Sequence, residues 1–335
     1  MNTTCERSTL MNVPPTDGIR VAVTDLEQLV VDIFKAVPLP ADHARLIASK
    51  LVECDLRGVV SHGTLQVNRY VRSFQDGTVN PNPQIRVLKE GPTTAALSGD
   101  GGLGYLVATK SMEMAIAKAQ EFGIGAATST YHAHLGSTGN YARMAMRADL
   151  IGISTSGRNA SNHYNRDSTI RGSIQGSPPL AFGMPSGEGK PTFLLDFASH
   201  YAIDDETFLK YPPVFIKAIG ISHVGNILSG TLGGQMLKEF SRGNIEFTGA
   251  DQSGFFLALD VNCFSDLDAF KADMDHLMDE ASRMKPLPSF DESFLPGGKE
   301  LERETEYRRD GVPISAQAVE GLEEVAEEFS IATPW

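Results

Sequence analysis

Asp55-Leu-Arg-Gly-Val-Val-Ser-His-Gly63 is the stretch around which the rest of this chain can be read. It closes a segment of helical periodicity and sets Ser61 and His62 between Gly58 and Gly63, where the backbone can turn sharply and expose both side chains. Histidine is the side chain best matched to proton transfer near neutral pH, so His62 is a candidate acid or base. On residue chemistry alone, a lone histidine after a helix more often serves as a structural hydrogen bonder.

Upstream, residues 24–56 read as two helices. Leu26, Leu29, Val30, Ile33 and Phe34 share one helical face. Thr24 with Glu27 predicts a capping box, and Pro40 marks the start of the second helix. Downstream, a short helix is expected over 66–75, then a turn-rich linker through Asn80-Pro-Asn-Pro83. From residue 84 short strands and helices alternate, as in a layered α and β domain. Helices are expected near 107–122, with Gly123 as its stop, and 140–148. Strands are expected at 85–88, 94–97, 124–128, 150–155, 180–184, 192–197 and 255–261. The apolar, Gly-rich stretch 214–237 reads as a tightly packed helix. Ser265 with Asp268 predicts the cap of a helix over 266–284. Residues 286–314 read as an irregular Pro/Gly/charge-rich segment, and 315–329 as an amphipathic helix.

These patterns predict a disordered tail over 1–18, a helical domain from 19–83 with 262–335, and an α/β domain over 84–261 that holds cofactor and substrate. The net charge of −13 disfavours nucleic acid as a partner. No apolar run is long enough for a membrane span, and no signal-peptide core precedes residue 18. The three cysteines, Cys5, Cys54 and Cys263, form no CxxC pair, which argues for reduced thiols in a cytoplasmic protein without a zinc site. His132-Ala-His134 puts two imidazoles at strand spacing. Structural or cofactor roles are favoured there over metal, because no further ligand type lies within a few residues. Gly99-Asp-Gly-Gly-Leu-Gly104 follows no long buried strand and lacks the acidic partner of a Rossmann fingerprint, so it reads as a plain turn.

The ordered set of motifs resembles the type-2 malate/L-lactate dehydrogenases. It comprises Asp55-Leu-Arg-Gly-Val-x-Ser-His-Gly63, Arg69-Tyr-Val, Gly99-Asp-Gly-x-Leu-Gly104, His134-Leu-Gly-x-x-Gly139, Gly176-Ser-x-Pro179, Leu195-Asp-x-Ala-Ser199 and Phe255-Phe-Leu-Ala-Leu-Asp260, ending at Pro296-Gly297. The resemblance spans about residues 20–315. It implies an α/β (α+β), non-Rossmann fold: a central mixed sheet with flanking helices and a helical domain formed by the N- and C-terminal parts. It also implies reduction of a C=O or C=N bond of a small, biosynthetic substrate by NADPH or NADH, in a homodimer. His62 would donate the proton, Asp196 would pair with or orient it, and Ser61 would hydrogen-bond substrate or nicotinamide. Arg57, Gln66 and Arg69 would face the substrate. His134, Gly136, Ser137, Thr138, Gly176, Ser177, Pro179 and Lys217 would hold the cofactor, and no metal is implied.

Four departures from the family pattern gather at the expected pocket. Gln66 stands where relatives carry an arginine suited to a carboxylate, Val60 where they carry Asp, and Pro178 where they carry Asn. Residues 200–216 are a shortened connection, after which Ala218 and Asn226 replace Gly and Glu. The departures leave two alternatives beside the reductase. One is a redox-neutral cyclase, isomerase or lyase using His62 and Asp196 for acid–base chemistry. The other is a catalytically silent homologue that has lost the cofactor.

Overall fold

The structure is a computed structural model that describes residues 14–158, 167, 169–170, 178–198, 205–234, 237, 245–288 and 290–335. The chain divides into two compact units. One comprises the residues up to Gln75 with Lys299–Trp335; the other comprises Asp76–Gly298.

The first unit is helical. β1 (Ile19–Val21) pairs antiparallel with the strand Val312–Ile314, which ties the two ends of the unit together. A side chain at residue 18 would meet the Ile314 carbonyl oxygen at 1.6 Å, so Gly18 already lies against that strand and the expected tail is fastened before its end. α1 (Val23–Ala36) buries Leu26, Leu29, Val30, Val31, Ile33 and Phe34. Its cap position is Ala22, and Thr24 Oγ1 donates to Asp25 Oδ1 at 3.3 Å, so the expected capping box is not formed. α2 (Ala41–Leu56) follows Pro40 and is buried along most of its second half. Two 3-10 turns, Val60–His62 and Thr64–Gln66, lead directly into α3 (Val67–Gln75).

Within 286–314, expected to be irregular, Gly298–Asp310 is a helix. Its sequence GKELERETEYRRD lacks an apolar stripe, so periodicity is silent there. Ion pairs support it: Glu304 meets both Arg57 and Arg308 at 2.7 Å. The last helix, Ala316–Glu328, is capped by Ser315 and buries Ala318, Leu322, Val325 and Ala326.

The second unit is built on a seven-stranded mixed sheet. Its strands are β2 (Arg86–Glu90), β3 (Thr94–Ser98), β4 (Ile124–His132), β5 (Leu150–Arg158), β6 (Pro179–Met184), β7 (Phe193–Ala198) and β8 (Gln252–Asp260), in the order β2-β3-β4-β8-β5-β6-β7. β3 and β4 run parallel, and the other neighbours are antiparallel. α4 (Gly104–Phe122) and α5 (Gly139–Met146) cover one face. Val107, Met112, Ala115 and Tyr141 pack there with Leu97, Ala127, Phe256 and Ala258.

α6 (Asp205–Lys210) leads into α7 (Pro212–Asn226), which continues through a π turn, Ile227–Thr231, to Leu232–Gly234. Strand alternation places this helix on the opposite face from α4. A side chain at Gly225 would meet Thr155 Oγ1 at 2.9 Å, and Thr155 pairs with Phe255, the residue before core Phe256. Its buried side is Ser222, Gly225, Asn226, Ser229 and Gly230, and its apolar side chains Val214, Ile216, Ile221, Val224 and Ile227 face outward. The expected tightly packed helix is therefore packed through small polar residues and glycines rather than through its aliphatic ones.

The unit boundary falls earlier than the composition break at residue 83. Asn80 N–H donates to the Gly101 carbonyl at 2.9 Å and Gly249 N–H to the Thr78 carbonyl at 2.9 Å, which binds 76–83 to the sheet unit. Residues 262–298 also belong with the sheet. Gly187 N–H donates to Asp275 at 3.0 Å and Leu194 N–H to the Pro296 carbonyl at 3.0 Å. The helix over Leu267–Arg283 is capped by Asp266, which accepts from Ala269 N–H at 2.9 Å, and not by Ser265. Among the described residues, no helix is long and apolar enough to cross a membrane.

Candidate active site

The first cluster lies at the end of α2. Gly58 takes a positive φ of 75° and its N–H returns to the Asp55 carbonyl at 2.9 Å, which ends the helix. The chain then makes its first 3-10 turn. Ser61 is exposed and His62 half-buried, with Ser61 Oγ 2.9 Å from His62 Nδ1. The Gln66 amide donates to the Ser61 carbonyl at 2.6 Å, so its nitrogen braces the turn. Arg57 is almost fully buried, with Nη1 2.7 Å from Glu304. Arg69 is exposed, its guanidinium 5.1 Å from the centre of the Tyr70 ring.

Under this turn sits Asp55, a residue the reading for function passed over. It is 2% exposed, and its Oδ2 accepts the Thr64 N–H at 2.8 Å. Burial pushes its carboxyl up to about 7 from 3.8, against the lowering effect of the Thr64 backbone hydrogen bond. No local signal sets it apart, since Lys50 and Glu53 are buried in the same half of α2.

The second cluster surrounds the start of α5. Gly136 has φ of 77°, and the Tyr105 ring occupies the space a side chain would need there. Ser137 Oγ, Thr138 Oγ1 and Gly139 N–H all donate to the Asp196 carboxylate, at 2.5, 2.8 and 2.8 Å. Asp196, near the end of β7, thus caps α5 and fastens the turn to the sheet. Pro179 opens β6, and its carbonyl accepts from Thr155 Oγ1 at 2.7 Å. Lys217 is exposed on α7, and Asn226 Oδ1 accepts the Arg158 N–H at 3.1 Å. Gly176 and Ser177 lie outside the described residues.

His62 and Asp196 are carried by different units. β4 ends at His132, so His132 and His134 do not form a strand pair. His132 is fully buried; its Nδ1–H donates to the Ala133 carbonyl at 2.7 Å and its Nε2 accepts from Ser129 Oγ at 2.8 Å. Burial lowers its pKa from 6.5 to about 4, so it stays neutral at physiological pH. His134 is half-buried, and its carbonyl accepts the Gly104 N–H at 3.0 Å.

A mixed sheet with a helical unit bearing a Ser-His turn is the architecture of a class of dehydrogenases that do without the doubly wound nucleotide fold. The solved malate dehydrogenase of Pyrococcus horikoshii superposes with a TM-score of 0.81 at 28% identity, covering 96% of this chain and 98% of that one. In sequence, the malate dehydrogenase of that organism is 31% identical over 353 positions, 93% of this chain and 96% of the relative. The L-sulfolactate dehydrogenase of Methanocaldococcus jannaschii is 28% identical over 91% of this chain and 96% of its own length. The solved delta1-piperideine-2-carboxylate reductase of Pseudomonas syringae shares the fold, with a TM-score of 0.70 at 16% identity, covering 92% of this chain and 100% of that one.

The profile described as malate/L-lactate dehydrogenase matches residues 21–207 and 202–323, and the chain belongs to that family, an enzyme of its NAD(P)-dependent dehydrogenase class. The two matched pieces meet at 202–207, inside the shortened connection.

Proposed function

We propose that the chain reduces a C=O or C=N bond of a small substrate, with His62 as the proton donor. The observation that carries this reading is the Ser61–His62 pair, presented on a turn bounded by glycines and braced by Gln66. In the imidazolium form, Nδ1–H donates to Ser61 Oγ, which leaves the Nε2–H as the proton that is delivered. When bound, a reduced nicotinamide supplies the hydride. His62 protonates the oxygen or nitrogen as the carbon is reduced, and then recovers its proton from water.

The 136–139 turn is a shaped wall for that cofactor. Its two hydroxyls and the Gly139 N–H are already matched by Asp196 and are not a phosphate cradle. Lys217 and His134 would hold the cofactor's charged part. Asp196 acts as the support of the turn, and its link to His62 is not needed in this scheme.

Gln66 sets the substrate class. It is neutral, and its amide nitrogen holds the Ser61 carbonyl. Of the two arginines expected at the substrate, Arg57 faces Glu304 and Arg69 is exposed and would meet a substrate anion. The substrate is therefore an imine or an unusual carbonyl compound rather than a simple 2-oxo acid. The outward apolar side of α7 supports a homodimer. The test is titration with NADPH and NADH by cofactor fluorescence, followed by a screen of cyclic imines and oxo acids. Binding of neither cofactor at millimolar concentration would end this reading in favour of redox-neutral chemistry.

A further inference from the structure

We propose that Asp55 is a positioning residue for His62: it holds the Gly63–Thr64 corner that immediately follows the imidazole. The inference rests on the reading of His62 as the proton donor. Three observations carry it. The Asp55 carboxylate lies beneath the turn and accepts the Thr64 N–H at 2.8 Å, immediately after Gly63. Its other oxygen lies so close to the Gly63 α-carbon that a side chain at residue 63 would meet it at 1.7 Å. The corner and the carboxylate are thus shaped to each other, and a glycine is the residue that fits.

The third observation is the cost. A carboxyl in this interior is a burden on stability unless it is matched, and the Thr64 N–H is a donor that meets it. A buried apolar residue at position 55 would pack without that burden. A carboxylate here makes sense as a device that fixes the turn. Gln66 braces the same turn from its other end through the Ser61 carbonyl, so the two contacts bracket Ser61 and His62. Fixing a proton donor in this way matters because a displacement of about 1 Å at a reacting group can cost roughly 100-fold in rate.

The experiment is a comparison of wild type, Asp55→Asn and Asp55→Leu as full chains, using NMR signals that need no substrate. The His62 ring resonance is assigned by its loss in His62→Gln, and the Thr64 amide by its exchange protection. Asn keeps an acceptor for the Thr64 N–H; Leu does not. The expected result is a single His62 resonance near the wild-type position in Asp55→Asn. In Asp55→Leu the resonance should be displaced or doubled, with Thr64 amide exchange about tenfold faster or more. A folded Asp55→Leu with wild-type His62 resonance and Thr64 protection overturns the proposal.

Should Asp55→Leu not fold, Gly63→Ala disturbs the same contact from the other side. Both signals should then move, and an unchanged pair in folded Gly63→Ala overturns the proposal equally. If His62→Gln retains full reductase activity, the proton-donor reading fails, while the two NMR signals still judge the positioning.

Discussion

The turn that carries His62 and the turn that opens α5 are each built on an aspartate, but in opposite surroundings. Asp196 is half-buried and matched by three donors, two hydroxyls and a backbone N–H at a helix start. Asp55 is buried and hydrogen-bonded by Thr64, and its carboxyl is pushed up into the neutral range. One carboxylate is met by three donors; the other is buried under its turn and holds its proton into the neutral range. What differs is the number of donors set against the loss of water.

The largest effect expected from either turn is catalytic. His62→Gln should lower kcat by about 10²–10⁴-fold while leaving the cofactor dissociation constant unchanged, as steady-state rates and fluorescence titration would show. An equal loss of cofactor binding would make His62 a binding residue and dissolve the contrast.

Next is the clasp at α5. Asp196→Ala removes the cap and leaves three donors unmatched, for a loss of about 2–3 kcal/mol, read from urea unfolding midpoints. Asp196→Asn should recover part of it. A change in the His62 titration in folded Asp196→Asn would instead show the two turns to be one site.

Asp55 makes a prediction of its own sign. Its carboxyl holds the proton more tightly folded than unfolded, about 7 against 3.8. Folding therefore takes up a proton between roughly pH 4 and 7. The contribution of this group to stability is greatest below that window and falls as pH rises through it, by up to about 1.4 kcal/mol per pH unit. Asp55→Asn should flatten the decline in chemical denaturation across that range. An unchanged slope would remove the distinction between the two aspartates.

The smallest effect concerns α7. Val224→Glu, on the outward face, should change stability by no more than about 0.5 kcal/mol. It should turn the proposed homodimer into monomers in sedimentation velocity. A dimer that survives the substitution places the interface elsewhere.

Much of the fold was legible in order and position. The helices near 23–56 and 104–122, the Gly123 stop and the strands of the sheet follow local periodicity and turn chemistry. The misses share a cause. Gly298–Asp310 has no apolar stripe and is supported by Arg57, 247 residues away from Glu304 in sequence. The caps at Ala22 and Asp266 lie two and one residues from the expected Thr24 and Ser265, because cap choice depends on which backbone N–H is left over. At the site, Ser61 and His62 could be found from their glycine-bounded turn. Asp55 could not, since nothing in a helical run shows that its carboxylate will lie under a corner nine residues on.

Sequence alone determined what depends on neighbours within a few residues: helix and strand periods, the glycines that end or turn them, and the ordered motifs that mark the family. Tertiary structure decided what each polar group meets. Asp196 finds Ser137 and Thr138, 59 and 58 residues away, and α7 turns its serines inward and its aliphatics outward. These are choices among partners brought together by packing, where the cost of a buried polar group depends on the donors that happen to face it.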